Sequence, residues 1–196
     1  FSFLRYDKFC NPYTPVARYR YWDEDYALLT TFAKPDVESL VNNAPFCCIA
    51  LRFRAHVHTR NSNMEFWTSV IERLVKLGYK VFLVGRGAES YANGDTVVYV
   101  DQLATYVALI SHPLCKMTAG SATGTMLLSM FSCTNQLHIV ENSGCSDMEN
   151  SAIFGGPCVH FMQIPYIWWS SYPDVDTFID ESIKKDRHLG YSVIKY

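Results

Sequence analysis

Pro45 followed by Phe46-Cys47-Cys48-Ile49-Ala50-Leu51 sets the fold class of this chain. Six apolar residues without a polar break are the length of a strand, and their continuity is that of a strand covered on both faces, as in a parallel sheet. Downstream, residues 52–63 are polar and loop-like. Phe66, Trp67, Val70, Ile71, Leu74 and Leu77 then recur at the three- and four-residue spacing of an amphipathic helix over 64–77. Ser62 followed by Glu65 reads as a capping box at its start, and Gly78 as its stop. Lys80-Val81-Phe82-Leu83-Val84-Gly85 is a second buried strand, and 96–100 a third. A helix opens at Asp101 or Gln102, with Asp101 as its cap, and ends before Pro113. Residues 114–118 form a fourth strand, 120–124 a small-residue turn, 125–131 a helix and 136–140 a fifth strand. A helix over 175–185 closes the pattern, with Val175, Phe178, Ile179 and Ile183 on one face.

Strand–helix–strand alternation of this kind is that of a parallel α/β sheet with right-handed crossovers, a Rossmann-like sheet flanked by helices. It occupies residues 46–196. Residues 1–45 read as an irregular, aromatic-rich N-terminal arm or linker, apart from a short helix over 36–41 with Pro35 in its first turn. The start at Phe1 rather than Met suggests a processed chain or a fragment.

Composition narrows the function. Lys and Arg number 17 against 19 Asp and Glu, a net charge of −2, which excludes the broad basic surface of a generic nucleic-acid binder. With 49% hydrophobic and 18% charged residues the chain is not a disordered tail. Its apolar runs fall short of the roughly 18 residues that cross a bilayer. An odd count of cysteines, seven, is not a disulfide framework. Cys47 and Cys48, adjacent in an apolar run, read as small buried hydrophobes. Together these features point to a reducing compartment, the cytoplasm or the cytosolic face of a membrane.

Ligands of open α/β sheets bind outside the carboxyl ends of the strands, which directs attention to five segments, 52–60, 85–89, 100–103, 119–124 and 141–144, of which 100–103 offers only the Asp101 cap. Ala119-Gly120-Ser121-Ala122-Thr123-Gly124-Thr125 joins a strand to a helix. Small residues allow close approach, helix-start amides and the helix dipole favour an anion, and Ser121, Thr123 and Thr125 add hydroxyls. The segment reads either as such an anion seat or as a tight turn packing a helix on the sheet. It carries neither a Walker lysine nor GxGxxG spacing. Arg52, Arg54, Arg60, His56 and His58 follow the first strand, either as a solvated basic loop or as a diphosphate clamp, since guanidinium groups pair bidentately with phosphate. The His-x-His pair has no third ligand nearby in sequence, so no metal set is assigned. Gly85-Arg86-Gly87 is a turn at the same edge, with Arg86 available to phosphate or base. Glu141, after the fifth strand, is a polar-loop residue or an acceptor for sugar hydroxyls. Tyr166, Trp168, Trp169 and Tyr172 read either as packing the C-terminal segment onto the sheet, the preferred reading, or as stacking on a sugar or base, and Met126 and Met130 read as core.

Arg60-Asn61, a helix ending Glu72-Arg73-Leu74, and Gly78-Tyr79-Lys80-Val81 leading into Leu83-Val84-Gly85 resemble the first strand–helix–strand unit of the C-terminal, nucleotide-sugar-binding half of GT-B glycosyltransferases, in particular the ADP-heptose-type lipopolysaccharide transferases. Residues 103–110 are similar to that family's next helix. Thr123-Gly124-Thr125-Met126-Leu127-Leu128 matches its Ser-Gly-Pro-Met-His-Leu stretch in position and character. His56-Val57-His58-Thr59-Arg60-Asn61 looks like the His-Val-Arg-Arg-Thr-Asp loop of GDP-fucose transferases. The resemblance covers residues 48–142. Ala122 stands where the heptosyl family places Asp, Arg60-Asn61 keeps one of its two cations, and His58 and Thr59 replace the two arginines of the fucosyl loop.

The resemblance implies a donor domain that binds a nucleotide-diphosphate sugar (GDP-, ADP- or UDP-linked) for inverting transfer to a glycan or other hydroxyl acceptor. It implies no metal or other cofactor. Arg60 and Arg54 would offset the charge of the leaving diphosphate. The donor would be held by Arg52, His58, Gly85, Arg86, Gly120, Ser121, Thr123, Gly124, Thr125 and Glu141. The general base would come from an N-terminal acceptor domain that this chain is too short to include. The alternatives are a non-transferase nucleotide-binding module, epimerase-like or regulatory, and a fragment inactive without its acceptor domain.

Overall fold

The structure, a computed structural model, describes residues 35–55, 61–121, 123, 125, 126, 129, 136–140, 166–169, 171–184 and 191–194. In chain order these are α1 (Glu38–Val41), β1 (Phe46–Ala50), α2 (Met64–Lys76), β2 (Lys80–Val84), a 3-10 turn (Ala88–Tyr91), β3 (Val97–Val100), α3 (Leu103–Ile110), β4 (Cys115–Ser121), β5 (Gln136–Val140), β6 (Tyr166–Trp169), α4 (Val175–Ile179) continuing into a π turn (Asp180–Lys184), and β7 (Tyr191–Ile194).

The strands form one sheet in the order β3-β2-β1-β4-β5-β6-β7, parallel at every pairing. This is a Rossmann-like α/β fold, as the strand–helix alternation requires. The order runs outward from β1 in one direction through β2 and β3, then restarts on its other side with β4. The crevice where such a sheet takes a ligand therefore lies between the carboxyl ends of β1 and β4.

Burial follows from the period of two along each strand. Phe46, Cys48 and Ala50 of β1 face a core completed by Val37 and Val41 beside α1, by Tyr106, Leu109 and Ile110 of α3, and by Met126. Cys47 and Ile49 face the opposite core with Trp67, Val70, Ile71 and Leu74 of α2 and Phe178 and Ile179 of α4. A strand buried on both faces has no polar position to offer, hence the unbroken apolar run. Val37 at 5% and Val41 at 0% exposure also show that the last part of the segment read as an arm already belongs to this core.

Several expected boundaries move. The first is β4, which runs through Ser121 rather than ending at Thr118, so Ala119, Gly120 and Ser121 are strand and not turn. β6 and β7 extend the expected five strands to seven. The cap of α2 is Asn63, whose side chain accepts from the Phe66 amide at 3.2 Å, and not Ser62. α3 opens on Gln102 without a side-chain cap, so Asp101 does not serve as one. The C-terminal helix is α-helical only to Ile179 and then widens to the π turn. Trp169 and Tyr172 pack as expected. Trp169 is fully buried and donates its indole N–H to His138 at 3.2 Å. Tyr172 stands edge-on to Phe66, its hydroxyl accepting from the Asn63 amide at 3.0 Å. Met126 is core, while Met130 lies outside the described residues.

Candidate functional site

Ala50 is in register with Gly120 on one side and Val84 on the other, so β1 and β2 end level and β4 runs one residue further, to Ser121. Beyond Ala50 the chain leaves the sheet as Leu51-Arg52-Phe53-Arg54. It returns alongside itself at Asn61 and Ser62. The Asn61 carboxamide grips both backbone groups of Arg54, accepting from its N–H at 2.9 Å and donating to its carbonyl at 3.0 Å. Ser62 does the same for Arg52: its Oγ accepts from the Arg52 amide at 2.8 Å, and its own N–H donates to the Arg52 carbonyl at 2.9 Å. The two ends of the arginine-bearing loop are thus clamped together, with residues 56–60 between the clamped ends.

Ser62 also reaches across the switch point. Its hydroxyl lies 2.7 Å from that of Ser121, at the end of β4, and both serines are buried. This explains why the neighbouring Asn63 caps α2: the hydroxyl of Ser62 is already engaged. Arg52, just past the end of β1, is buried at 8% exposure, whereas Arg54 is exposed.

The glycine-bearing segment is arranged differently from the expected anion seat. Gly120 lies within the β-ladder, between Ala50 and Ile139. A Cβ there would stand 2.3 Å from the Ala50 carbonyl oxygen and 2.9 Å from Met126 Sδ. Gly120 is therefore a close-packing residue, and its main chain faces neighbouring strands rather than a ligand. The Ser121 hydroxyl is occupied by Ser62. Past the strand, Thr123 accepts the Met126 amide on its Oγ1 at 3.3 Å, as an N-cap does. Thr125 is partly exposed on the first helical turn. Among the described residues of the expected ligand surface here, Thr123 and Thr125 are partly exposed.

Gly85 ends β2 at φ +119°, where a Cβ would strike the Leu51 carbonyl oxygen at 2.1 Å, and Gly87 follows at φ +89°. Between them Arg86 is exposed. The turn lies against Phe53, whose ring stacks on that of Tyr91 with centroids 5.8 Å apart and planes within 11°. Glu89 and Asp101 lie close enough to Tyr99 that, after burial, their charges also push its phenol up from the ordinary value. Burial, and after it the neighbouring Cys115, push the Cys47 thiol well above its ordinary value.

The structure thus brings Arg52, Ser121 and Gly120 to one strand-end junction, with Arg54, Gly85 and Arg86 at the adjoining edge. His56, His58, Arg60, Gly124 and Glu141 lie outside the described residues. Phe53 and Asn61 belong to the loop that the sequence places at this edge but carry no role there from sequence, and nothing in the sequence places Ser62 or Tyr91 at it. Ser62 and Asn61 carry loop-type polarity but no pattern that names their partners. Among the described residues no helix is long and apolar enough to cross a membrane.

No family model matches the chain, and no curated protein matches it. Among solved structures, a protein described as a short-chain alcohol dehydrogenase from Burkholderia multivorans is similar over 78% of this chain and 96% of that one, at 12% identity and a TM-score of 0.41. A likeness at that level has no bearing on function.

Proposed function

We propose that the chain is the donor-binding domain of a GT-B-type glycosyltransferase, taking a nucleotide-diphosphate sugar at the carboxyl edge between β1 and β4. One observation carries this reading: an arginine-bearing loop is clamped at both ends and tied through Ser62 to the end of β4, across the point where strand order reverses. A diphosphate in that crevice would meet Arg52 and Arg54 from the β1 side, and Thr123 and Thr125 from the β4 side. Fixed cations at the leaving diphosphate stabilise charge as the glycosidic bond breaks. Arg60 joins them in this reading, which assigns to arginines the task that a metal performs elsewhere, as the GT-B resemblance implies. The acceptor hydroxyl requires a general base, which the reading places on an acceptor domain across the cleft.

β1 leads into Arg52-Phe53-Arg54 rather than into a glycine-rich turn. That favours phosphate capture by guanidinium over the backbone cradle of a dinucleotide-binding domain.

A thermal-shift panel of UDP-, GDP-, ADP- and CMP-sugars tests the proposal. A ligand at 100 times its dissociation constant adds about 2.7 kcal/mol, or about 5–10 °C for a domain of this size. One base class is expected to stabilise the protein, and Arg54→Ala, Arg60→Ala and Gly124→Val to reduce the shift. If no nucleotide sugar or nucleoside diphosphate raises the melting temperature, the reading is wrong. Unchanged affinity in all three variants would move the site elsewhere.

A further inference from the structure

Resting on the donor-site reading, we propose that Phe53 and Tyr91 form the stacking platform for the base of the nucleotide, so that the donor lies with its nucleoside over β2 and its diphosphate toward β4. Phe53 leaves the end of β1 between Arg52 and Arg54, and Tyr91 closes the 3-10 turn after β2. Their rings are parallel within 11°. The turn reaches Phe53 only because two glycines let it. Gly85 passes so close to the Leu51 carbonyl that no side chain fits, and a Cβ on Gly87 would stand 3.1 Å from the Phe53 ring. Phe53 is thereby held in place, and Tyr91 rests on it with 39% of its surface still exposed.

A half-exposed tyrosine backed by a second, parallel ring is a surface on which a planar heterocycle can stack, independent of which base it is. The position fits a charged nucleotide. Arg86 stands in the same turn, and Arg54 is one residue from Phe53. The end of β2, from which the turn bearing Tyr91 leaves, and the end of β4 lie two strand spacings apart, about 10 Å. The proposal has one extended nucleoside diphosphate span that interval.

The experiment measures affinities of UDP, GDP, ADP and inorganic pyrophosphate for the wild-type chain, Tyr91→Ala, Tyr91→Phe and Arg54→Ala, with melting temperatures confirming that each variant is folded. Tyr91→Ala is expected to weaken the preferred nucleoside diphosphate by about tenfold, leave pyrophosphate unchanged, and recover with Tyr91→Phe. Arg54→Ala is expected to weaken both ligand types. If the wild type binds a nucleoside diphosphate and Tyr91→Ala binds it equally well, the platform is wrong while the donor-site reading stands. Equal losses for the nucleoside diphosphate and pyrophosphate in Tyr91→Ala also overturn the platform. If the wild type binds none of these ligands, the donor-site reading fails first and the platform with it.

Discussion

Near the ends of β4 and β2, Gly120 and Val84 are in register with Ala50 on either side of β1, and each end carries a glycine, but the two are built to opposite purposes. At β4, Gly120 lies inside the ladder against the Ala50 carbonyl and Met126, and the next hydroxyl is engaged by Ser62. At β2, Gly85 adopts a positive φ that throws the chain outward into an exposed arginine and a stacked tyrosine. The first end spends its polar groups on holding the sheet and the loop together. The second leaves them facing solvent. A glycine at a strand end therefore does not by itself mark a ligand seat: what matters is whether its surroundings are already filled.

Substitutions at these ends sharpen the contrast. Gly120→Val should have the largest effect, a loss of more than about 3 kcal/mol or failure to fold, because the added atoms meet backbone and a packed sulfur. A denaturant midpoint near wild type would show that Gly120 is not a packing residue. Gly85→Ala comes next, at about 2–3 kcal/mol, from both a positive φ and the Leu51 carbonyl. Gly78→Ala serves as its control: φ is +87° but nothing lies within 4 Å, so strain alone should cost about 1 kcal/mol.

Ser62→Ala should cost about 1–3 kcal/mol, since it strands the Arg52 amide and the Ser121 hydroxyl in a buried place. Asn63→Ala, which removes only the α2 cap, should cost about 1 kcal/mol. If chemical denaturation reverses that order, Ser62 is not the tie between β1 and β4.

The smallest effect is expected away from both strand ends, at the cap of α4. Hydrogen bonds from Thr177 hold the Asp174 carboxyl below its ordinary value. The folded state thus favours the carboxylate, and the stabilisation is present above the unfolded value of about 3.9 and lost as pH falls through the lower folded value. Asp174→Ala should therefore lower the melting temperature slightly at pH 7, and the difference should shrink below about pH 3.9. A pH-independent difference would mean that the cap acts through something other than charge.

The elements that were legible and those that were not differ in physical origin. β1, β2 and α2 announce themselves because burial on two faces, or on one helical face, demands an apolar pattern that survives any detail of packing. The end of β4 does not, because Gly-Ser is compatible with both a turn and a squeezed strand. Only the proximity of Ala50 and Met126 selects the strand. Ser62 and Asn63 are equally good caps locally, and the choice falls to Asn63 once Arg52 and Ser121 claim the serine. β6 was read as packing aromatics, which Trp169 is, but its pairing with β5 depends on a partner far away in sequence. Phe53 and Tyr91 share no motif at all, and two glycine turns bring them together.

From its residues alone the chain was bound to form a parallel α/β sheet, since long apolar runs of strand length alternating with amphipathic segments have no other economical way to leave water. The same residues placed arginines and small hydroxyl side chains at the carboxyl edge. Which glycine packs and which turns, which serine caps and which bridges, and which ring lies on which were settled only by tertiary structure. Each is a competition among chemically equivalent partners, and it is distance in the folded state that decides such competitions.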